Sequence, residues 1–340
     1  MVDIQTETYE RKSIMSPKNI LFIKGTPDDT KVRLKVIQKN GAAVIEHTGS
    51  VNIHDYLQSD QFSKSLLILD ANPKQEIAGM RFDAVFNQIS DPDSHKITLA
   101  KLESMFAKLP PQVPLFNRPE NIRKTTRDNI SQLLRGIERL HIPKTVRIQP
   151  MSPSEIYDTI EKEGFSYPVI FRQAGDHGGV STIRVNDERE QFYAFALDGR
   201  DYYLTQFVEY KEEDLYAKYR LVVVDGEVFL RHVMYAKEWM VHDKNQLEAL
   251  KARQALSSRF NKEIKPHIQP IITEIHRRLG LDYFGIDCHI DKEMNLLVFE
   301  VNANMNVFIK TQNSVFKKHI EKIHQALVKM LTDERRRLSV

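Results

Sequence analysis

The stretch that decides the fold is Gly280-Leu-Asp-Tyr-Phe-Gly-Ile-Asp287, read together with Phe299-Glu-Val-Asn-Ala-Asn304. Residues 283–290 and 295–301 read as two strands joined by a polar turn at 291–294. Residues two apart in a strand share a face, so Glu300 and Asn302 project together while Val301 turns away. Pairing across the turn brings Asp287 close to that face, near its far end. Two carboxylates and an amide oxygen are hard ligands that suit Mg²⁺ or Mn²⁺ with phosphate oxygens and water. Neither their type nor their spacing is that of a zinc site. The preceding run Leu296-Leu297-Val298-Phe299 predicts a buried strand, whose tip should not carry uncompensated acids. Asp287, Glu300 and Asn302 are therefore the expected metal ligands.

Working outward, a helix over 266–279 is expected to stop at Gly280, a good C-cap. Residues 218–224 and 227–235 form a hairpin through Asp225-Gly226, the strongest turn signal in the chain. A strand is expected at 145–148, then a helix opened by Ser152-Pro153-Ser154-Glu155, then strands at 168–173, 180–185 and 202–208. Ile130, Leu133, Leu134, Ile137 and Leu140 recur at helical spacing and predict one helix over 121–140. Further back, short apolar runs at 19–23, 44–47, 66–69 and 84–87 suit buried strands of an α/β layer. Helices are expected there at 55–62 and 97–109. Phe316, Ile320, Ile323, Leu327 and Leu331 mark a closing amphipathic helix.

At 340 residues the chain should form two or three packed modules. From a net charge of +3, with 49 basic and 46 acidic residues, no strong polyanion preference follows, and no nucleic-acid partner is expected. Cys288 is the only cysteine, which excludes an intrachain disulfide and a thiolate cluster; it reads as a small buried hydrophobe. Residues 1–17 are a polar leader without an apolar signal core, and no apolar run approaches the ~20 residues needed to span a bilayer. A cytoplasmic location without a membrane partner is expected.

The two opening blocks resemble the C-terminal core of ATP-grasp enzymes. The likeness is nearest to RimK-type glutamate ligases and glutathione-synthetase-like carboxylate–amine ligases, and it covers roughly residues 117–310. It implies an α/β (α+β) ATP-grasp fold with ATP held between its parts. After the leader would come an N-terminal α/β domain at 18–115, a central lid domain with a Gly-rich loop at 116–210, and an antiparallel-sheet domain with the metal site at 211–332. Residues 333–340 would be a basic tail. The resemblance also implies Mg²⁺ or Mn²⁺ on Asp287, Glu300 and Asn302, ATP as cosubstrate, and a small-molecule or peptide carboxylate and an amine as substrates. A homo-oligomer is the family habit.

Other parts follow in the family's order. Tyr167-Pro-Val-Ile-Phe-Arg172 resembles the lid strand that carries an ATP-contacting lysine, here Arg172, whose guanidinium is a sound phosphate ligand. Gly175, Gly178 and Gly179 resemble the turn that closes backbone N–H groups over phosphates. Gln206-Phe207-Val208-Glu209 resembles the linker that frames adenine, and Glu212, Glu213 and Asp214 after it are the candidates to take a ribose hydroxyl, with Glu213 the one expected. Lys218 and Arg220 share a face of the next strand and are expected to point at the phosphates, Arg220 in a catalytic role. Arg231 matches a position near the substrate carboxylate, whereas His232 is expected on the opposite face. The family's other ATP-contacting lysine falls at Asn129, leaving Lys124 or Arg127 to stand in. Glu238-Trp-Met-Val-His-Asp-Lys-Asn245 replaces a Gly-rich segment, which implies a different acceptor pocket. Asn87, Asp91 and His95 are candidates to line it. The implied reaction is γ-phosphoryl transfer to a carboxylate, then displacement of phosphate by an amine. A small-molecule kinase and a non-catalytic nucleotide sensor remain the alternatives.

Overall fold

A computed structural model describes residues 17–37, 43–46, 48–57, 60, 62–72, 74–77, 81–176, 179, 181–242, 245–308 and 314–337. Four short apolar segments build the first sheet. Strand β1 (Lys18–Gly25) is followed by a separate antiparallel hairpin of β2 (Arg33–Ile37) and β3 (Ala43–Glu46). Then come helix α1 (Ile53–Tyr56), β4 (Phe62–Leu69), β5 (Ala84–Asn87), α2 (Lys96–Phe106) and β6 (Leu115–Phe116). The sheet order is β4-β1-β5-β6 and every pairing is parallel. Two expectations change here: of the run at 44–47, residues 44–46 belong to the hairpin instead of the parallel layer, and the helix expected over 55–62 meets α1 only at residues 55–56, while Phe62 opens β4; residues 47, 58, 59 and 61 lie outside the described residues.

The single helix expected over 121–140 is broken. Its pieces are α3 (Pro119–Ile122), a 3₁₀ turn at Arg123–Thr125, α4 (Arg127–Leu133) and the short strand β7 (Leu140–His141). Thr126 adopts extended backbone angles at the first break, and Gly136 has φ +76° after α4, so apolar spacing alone misread this segment.

The second sheet holds β8 (Thr145–Ile148), β9 (Val169–Gln173), β10 (Thr182–Val185) and β11 (Tyr202–Gln206) in the antiparallel order β10-β9-β11-β8, with α5 (Pro153–Lys162) packed against it. Pro153 opens α5 as expected, but the Ser152 side chain makes no cap bond; Glu155 instead accepts from the Met151 N–H at 3.0 Å. This sheet has a core of its own, formed by Ile156, Ile160, Phe171, Phe192, Tyr202 and Leu204.

The third sheet is made by β12 (Tyr216–Val224) and β13 (Glu227–Ala236), then β14 (Tyr283–Ile290) and β15 (Leu296–Ala303), in the order β13-β12-β14-β15-β7. Between the two hairpins lie α6 (Leu250–Arg259), a π turn at Phe260–Ile264 and α7 (Lys265–Leu279), of which only α7 was expected. Gly280 ends α7 in the left-handed region, its N–H bonding to the His276 carbonyl. Helix α8 (Ser314–Thr332) buries Phe316, Ile323, Leu327 and Leu331. One continuous core joins the first sheet and α2 to the third sheet and α7. Much of what holds the second sheet to this body is therefore polar. Among the described residues no helix is long and apolar enough to cross a membrane.

The tail is not simply solvated. Arg336 pairs with Asp225 and, at 2.7 Å, with Asp282, and lies over the Phe116 ring. Residues 1–16 and 338–340 lie outside the described residues.

Candidate active site

The central hairpin sets the site. In the β14–β15 register Asp287 stands directly opposite Glu300, and Gly285 opposite Asn302. On the other side of β14, Arg220 of β12 stands directly opposite Asp287. Three neighbouring strands thus place Arg220, Asp287 and Glu300 in one row. The register slips by one between Asp287 and Cys288, leaving Phe299 as the extra residue of a bulge. Phe299 as well as Glu300 consequently reaches the cavity. A Cβ on Gly285 would collide with Met305, so only glycine lets β14 lie this close.

The acids are held by cations. Arg220 grips Asp287 with two parallel bonds of 2.8 Å each, and the Lys218 ammonium is 3.5 Å away. Burial pushes the Asp287 carboxyl up, but the charge and hydrogen bonds of Arg220, with Lys218, outweigh it and hold the group well below the carboxylate range. Asp287 therefore stays ionised at any ordinary pH. Glu300 pairs with Arg127 at 2.7 Å, and Arg127 also donates to the Phe299 carbonyl at 2.9 Å. Arg172 donates to the Asp176 carbonyl, while its Nε is buried with no hydrogen-bond partner among the described residues. Burial, with the charge of Arg127 next, brings the Arg172 pKa down to about 10, so it too is charged at neutral pH.

These residues line a cavity of about 970 Å³ between the second and third sheets. Arg127, Arg172, Lys218, Arg220, Asp287, Glu300 and Asn302 share its wall with Gly179, Gln206, Phe207 and Val208. At the linker end the Phe207 ring meets Trp239 edge-on at 5.7 Å, and the Arg184 guanidinium lies 5.2 Å from the Phe207 centroid. The Gln206 side chain is spent on bracing the preceding turn, through the Ser166 backbone N–H and carbonyl and the Pro168 carbonyl. Trp239 to His242 form a further wall beside Gly179. A small cleft of about 30 Å³ lies beyond Glu300 and Asn302, lined by Asp91, Asp93, Arg172 and Tyr203 among others.

Several expected site residues lie elsewhere. Glu213 sits on an exposed turn beside Lys292 at 3.7 Å and does not line the cavity, because the Glu212–Leu215 bridge turns it to solvent. Arg231 is buried outside the cavity lining, with its Nε on the Val307 carbonyl at 2.7 Å. A bulge between Arg220 and Leu221 breaks the alternation of β13, so His232, not Arg231, stands opposite Arg220. Burial and then Arg220 push the His232 pKa well below the usual histidine value, leaving the ring neutral. Lys124 instead caps α7 through the Leu279 carbonyl at 2.9 Å, and Asn129 bonds the Arg123 carbonyl; of the two stand-ins, Arg127 alone lines the cavity. Asn87 and His95 are buried and tied to backbone, leaving Asp91 as the only one of the three beside the site. Gly178 lies outside the described residues. Cys288 and His289 are buried, as expected.

The donor set fits a hard divalent cation: two ionisable carboxylates in register and an amide oxygen one step along the same face. No group of three or more His, Cys, Asp and Glu side chains could hold a metal among the described residues, so Asn302 and non-protein oxygens must complete any shell.

The model of the RimK-like ATP-grasp domain matches residues 130–325. Among curated proteins no sequence matches significantly. Solved structures match over nearly the whole chain at low identity. D-alanyl-alanine synthetase A from Vibrio cholerae is 15% identical, covering 96% of this chain and 100% of its own, with a TM-score of 0.57. The D-alanine–D-alanine ligase of Bacillus anthracis, complexed with ATP, is 13% identical, covering 94% and 97%, with a TM-score of 0.54. Carboxyaminoimidazole ribonucleotide synthase from Aspergillus clavatus, also with ATP, is 14% identical over 93% and 79%, at 0.52. With the matched segment spanning the second sheet, the third sheet and the Asp287–Glu300–Asn302 wall, the chain belongs to the RimK-like ATP-grasp family, which binds ATP and consists mostly of ATP-dependent carboxylate–amine ligases.

Proposed function

We propose that this protein is an ATP-dependent carboxylate–amine ligase, which activates a small-molecule or peptide carboxylate as an acyl phosphate and joins it to an amine. The observation that carries the reading is that Asp287, Glu300 and Asn302 share the wall of one cavity between two sheets with four cations, Arg220 and Lys218 paired with Asp287, Arg127 paired with Glu300, and Arg172. A polyphosphate needs such cations, and a divalent ion needs such oxygens. Asp287, Glu300 and Asn302 would hold Mg²⁺ or Mn²⁺, which would supply charge neutralisation at the phosphates. Arg172 would bind phosphate through its guanidinium, and Arg127, Lys218 and Arg220 would neutralise charge once released from the acids. Gly179 would lie over the phosphates, and Phe207 and Val208 would frame the base. Positioning and charge suffice for this chemistry, with no protein nucleophile.

On this reading residues 18–115 form the acceptor-side domain, the second sheet is the lid, and 211–332 carry the metal. Since β7 joins the third sheet, we place the moving lid at residues 145–206, inside the wider 116–210 segment. The test is ADP release with a panel of amino acids and peptides. Glu300→Ala and Asn302→Ala should abolish turnover while circular dichroism stays unchanged; normal turnover in both variants would sink the metal assignment. Free phosphate with a new amide marks a ligase, whereas a stable phosphoester would mark a kinase.

A further inference from the structure

Outside the cavity wall, one cluster joins separate pieces of chain around a single cation. Arg147 of β8 contacts Asp93 at 2.6 Å, Asp201 at 3.0 Å and Asp128 at 3.3 Å. Tyr203 donates from its hydroxyl to Asp93 at 2.7 Å and accepts from Arg147, whose guanidinium lies over the Tyr203 ring. Lys96 of α2 reaches across to Asp201 at 3.1 Å. All of these carboxylates are largely buried, Asp93 most of all at 11% side-chain exposure.

The origins of these groups matter. Asp93 lies on the loop after β5, beside Asp91; Asp128 follows Arg127, the partner of Glu300; Tyr203 stands opposite both Arg147 and Arg172 in the lid register. Each is thus next to a residue of the site without being a metal or phosphate ligand in the proposed reading. The lid sheet has its own apolar core, so its closure rests substantially on polar contacts such as these.

We propose that Arg147 is a latch that ties lid closure to the acceptor-side loop at 90–93, and so sets Arg172 and the loop in register only when both are in place. It is a positioning residue acting through Asp93 and Tyr203. The latch is inferred from these contacts; its consequence for ATP rests on the proposed function.

The test places spin labels at Ile97→Cys and Tyr193→Cys, which are 54% and 91% exposed on α2 and on the lid. Cys288 is fully buried and should not label. In nucleotide-free protein the parent should give one narrow distance distribution, and Asp93→Asn and Tyr203→Phe should each broaden it to longer distances. Mg-ATP release, followed by Trp239 fluorescence, should speed up about tenfold in both variants with the association rate unchanged, as expected for one lost charge-assisted bond in the closed state. A purely structural role would lower stability without this split. Distributions that superimpose on the parent would overturn the latch, and broadened distances with an unchanged release rate would overturn its coupling to the site. A parent that gives no response to Mg-ATP would count against the nucleotide reading instead, while the nucleotide-free distances would still decide the latch.

Discussion

Replacing Arg220 with methionine keeps a similar length and removes the charge that holds Asp287. The carboxylate is 6% exposed and gripped by two 2.8 Å bonds, with Lys218 a weaker neighbour at 3.5 Å. Removing one partner of a buried pair costs about 3–5 kcal/mol, because the remaining charge is left uncompensated. With Lys218 able to take over part of the load, the expected loss at pH 7 is about 2–3 kcal/mol. The pH dependence has a definite sign. Asp287 has a folded pKa depressed below its unfolded value, so its contribution in the parent is present above about pH 4 and is lost only as pH falls further. In Arg220→Met the depressing charge is gone and burial raises the carboxyl, which can then take up a proton at higher pH than in the parent. The deficit should therefore shrink between pH 7 and pH 4. A divalent cation should replace the missing guanidinium: at a hundred times its dissociation constant, Mg²⁺ would restore about 2.7 kcal/mol. The assay is urea unfolding followed by the fluorescence of Trp239, the only tryptophan, which packs beside Tyr216 and Met234 on the third sheet. A variant within about 0.5 kcal/mol of the parent at pH 7 would refute the reasoning. So would a deficit that is equal at both pH values.

Arg172→Ala should weaken Mg-ATP binding about 10- to 100-fold, the worth of a charge-assisted bond, with Arg172→Lys recovering part of it. The Arg172 contribution should persist at neutral pH and fade as the pH climbs towards its pKa of about 10; Trp239 titrations at pH 7 and 9.5 check both points, and an unchanged Ala variant would remove Arg172 from the phosphate site. Gly285→Ala should cost about 1–3 kcal/mol by overpacking against Met305 and should also weaken nucleotide binding, because the same strand carries Asp287; thermal unfolding and the same titration measure the two effects.

The β14–β15 hairpin was legible because its signals are local. A period of two puts Glu300 and Asn302 on one face, and the apolar run before them marks burial. Gly280 as a cap and Asp225-Gly226 as a hairpin turn depend on φ values of +71°, +50° and +79°, which few residues adopt. What local pattern misjudged were places where another part of the chain intervened. Bulges put His232 opposite Arg220 and brought Phe299 to the cavity, and nothing in a single strand records a slip in its neighbour's register. Asn117 shows the same limit: its side chain bonds the backbone of Asp282 and Tyr283 and the Asn304 amide, joining segments 165 or more positions apart.

The amino-acid sequence by itself determined the order of strands and helices around the Asp287–Glu300–Asn302 hairpin, since propensity, periodicity and turn chemistry act over a few residues. It also determined that hard oxygen ligands and arginines would be available for a nucleotide. Tertiary structure alone decided which cation meets which acid: Arg220 with Asp287, Arg127 with Glu300, and Arg147 with Asp93, Asp128 and Asp201. Ion pairs form between side chains brought close by packing, and charge on a sequence carries no record of distance. The same packing, not the motif, sent Glu213 to solvent and Arg231 into the interior.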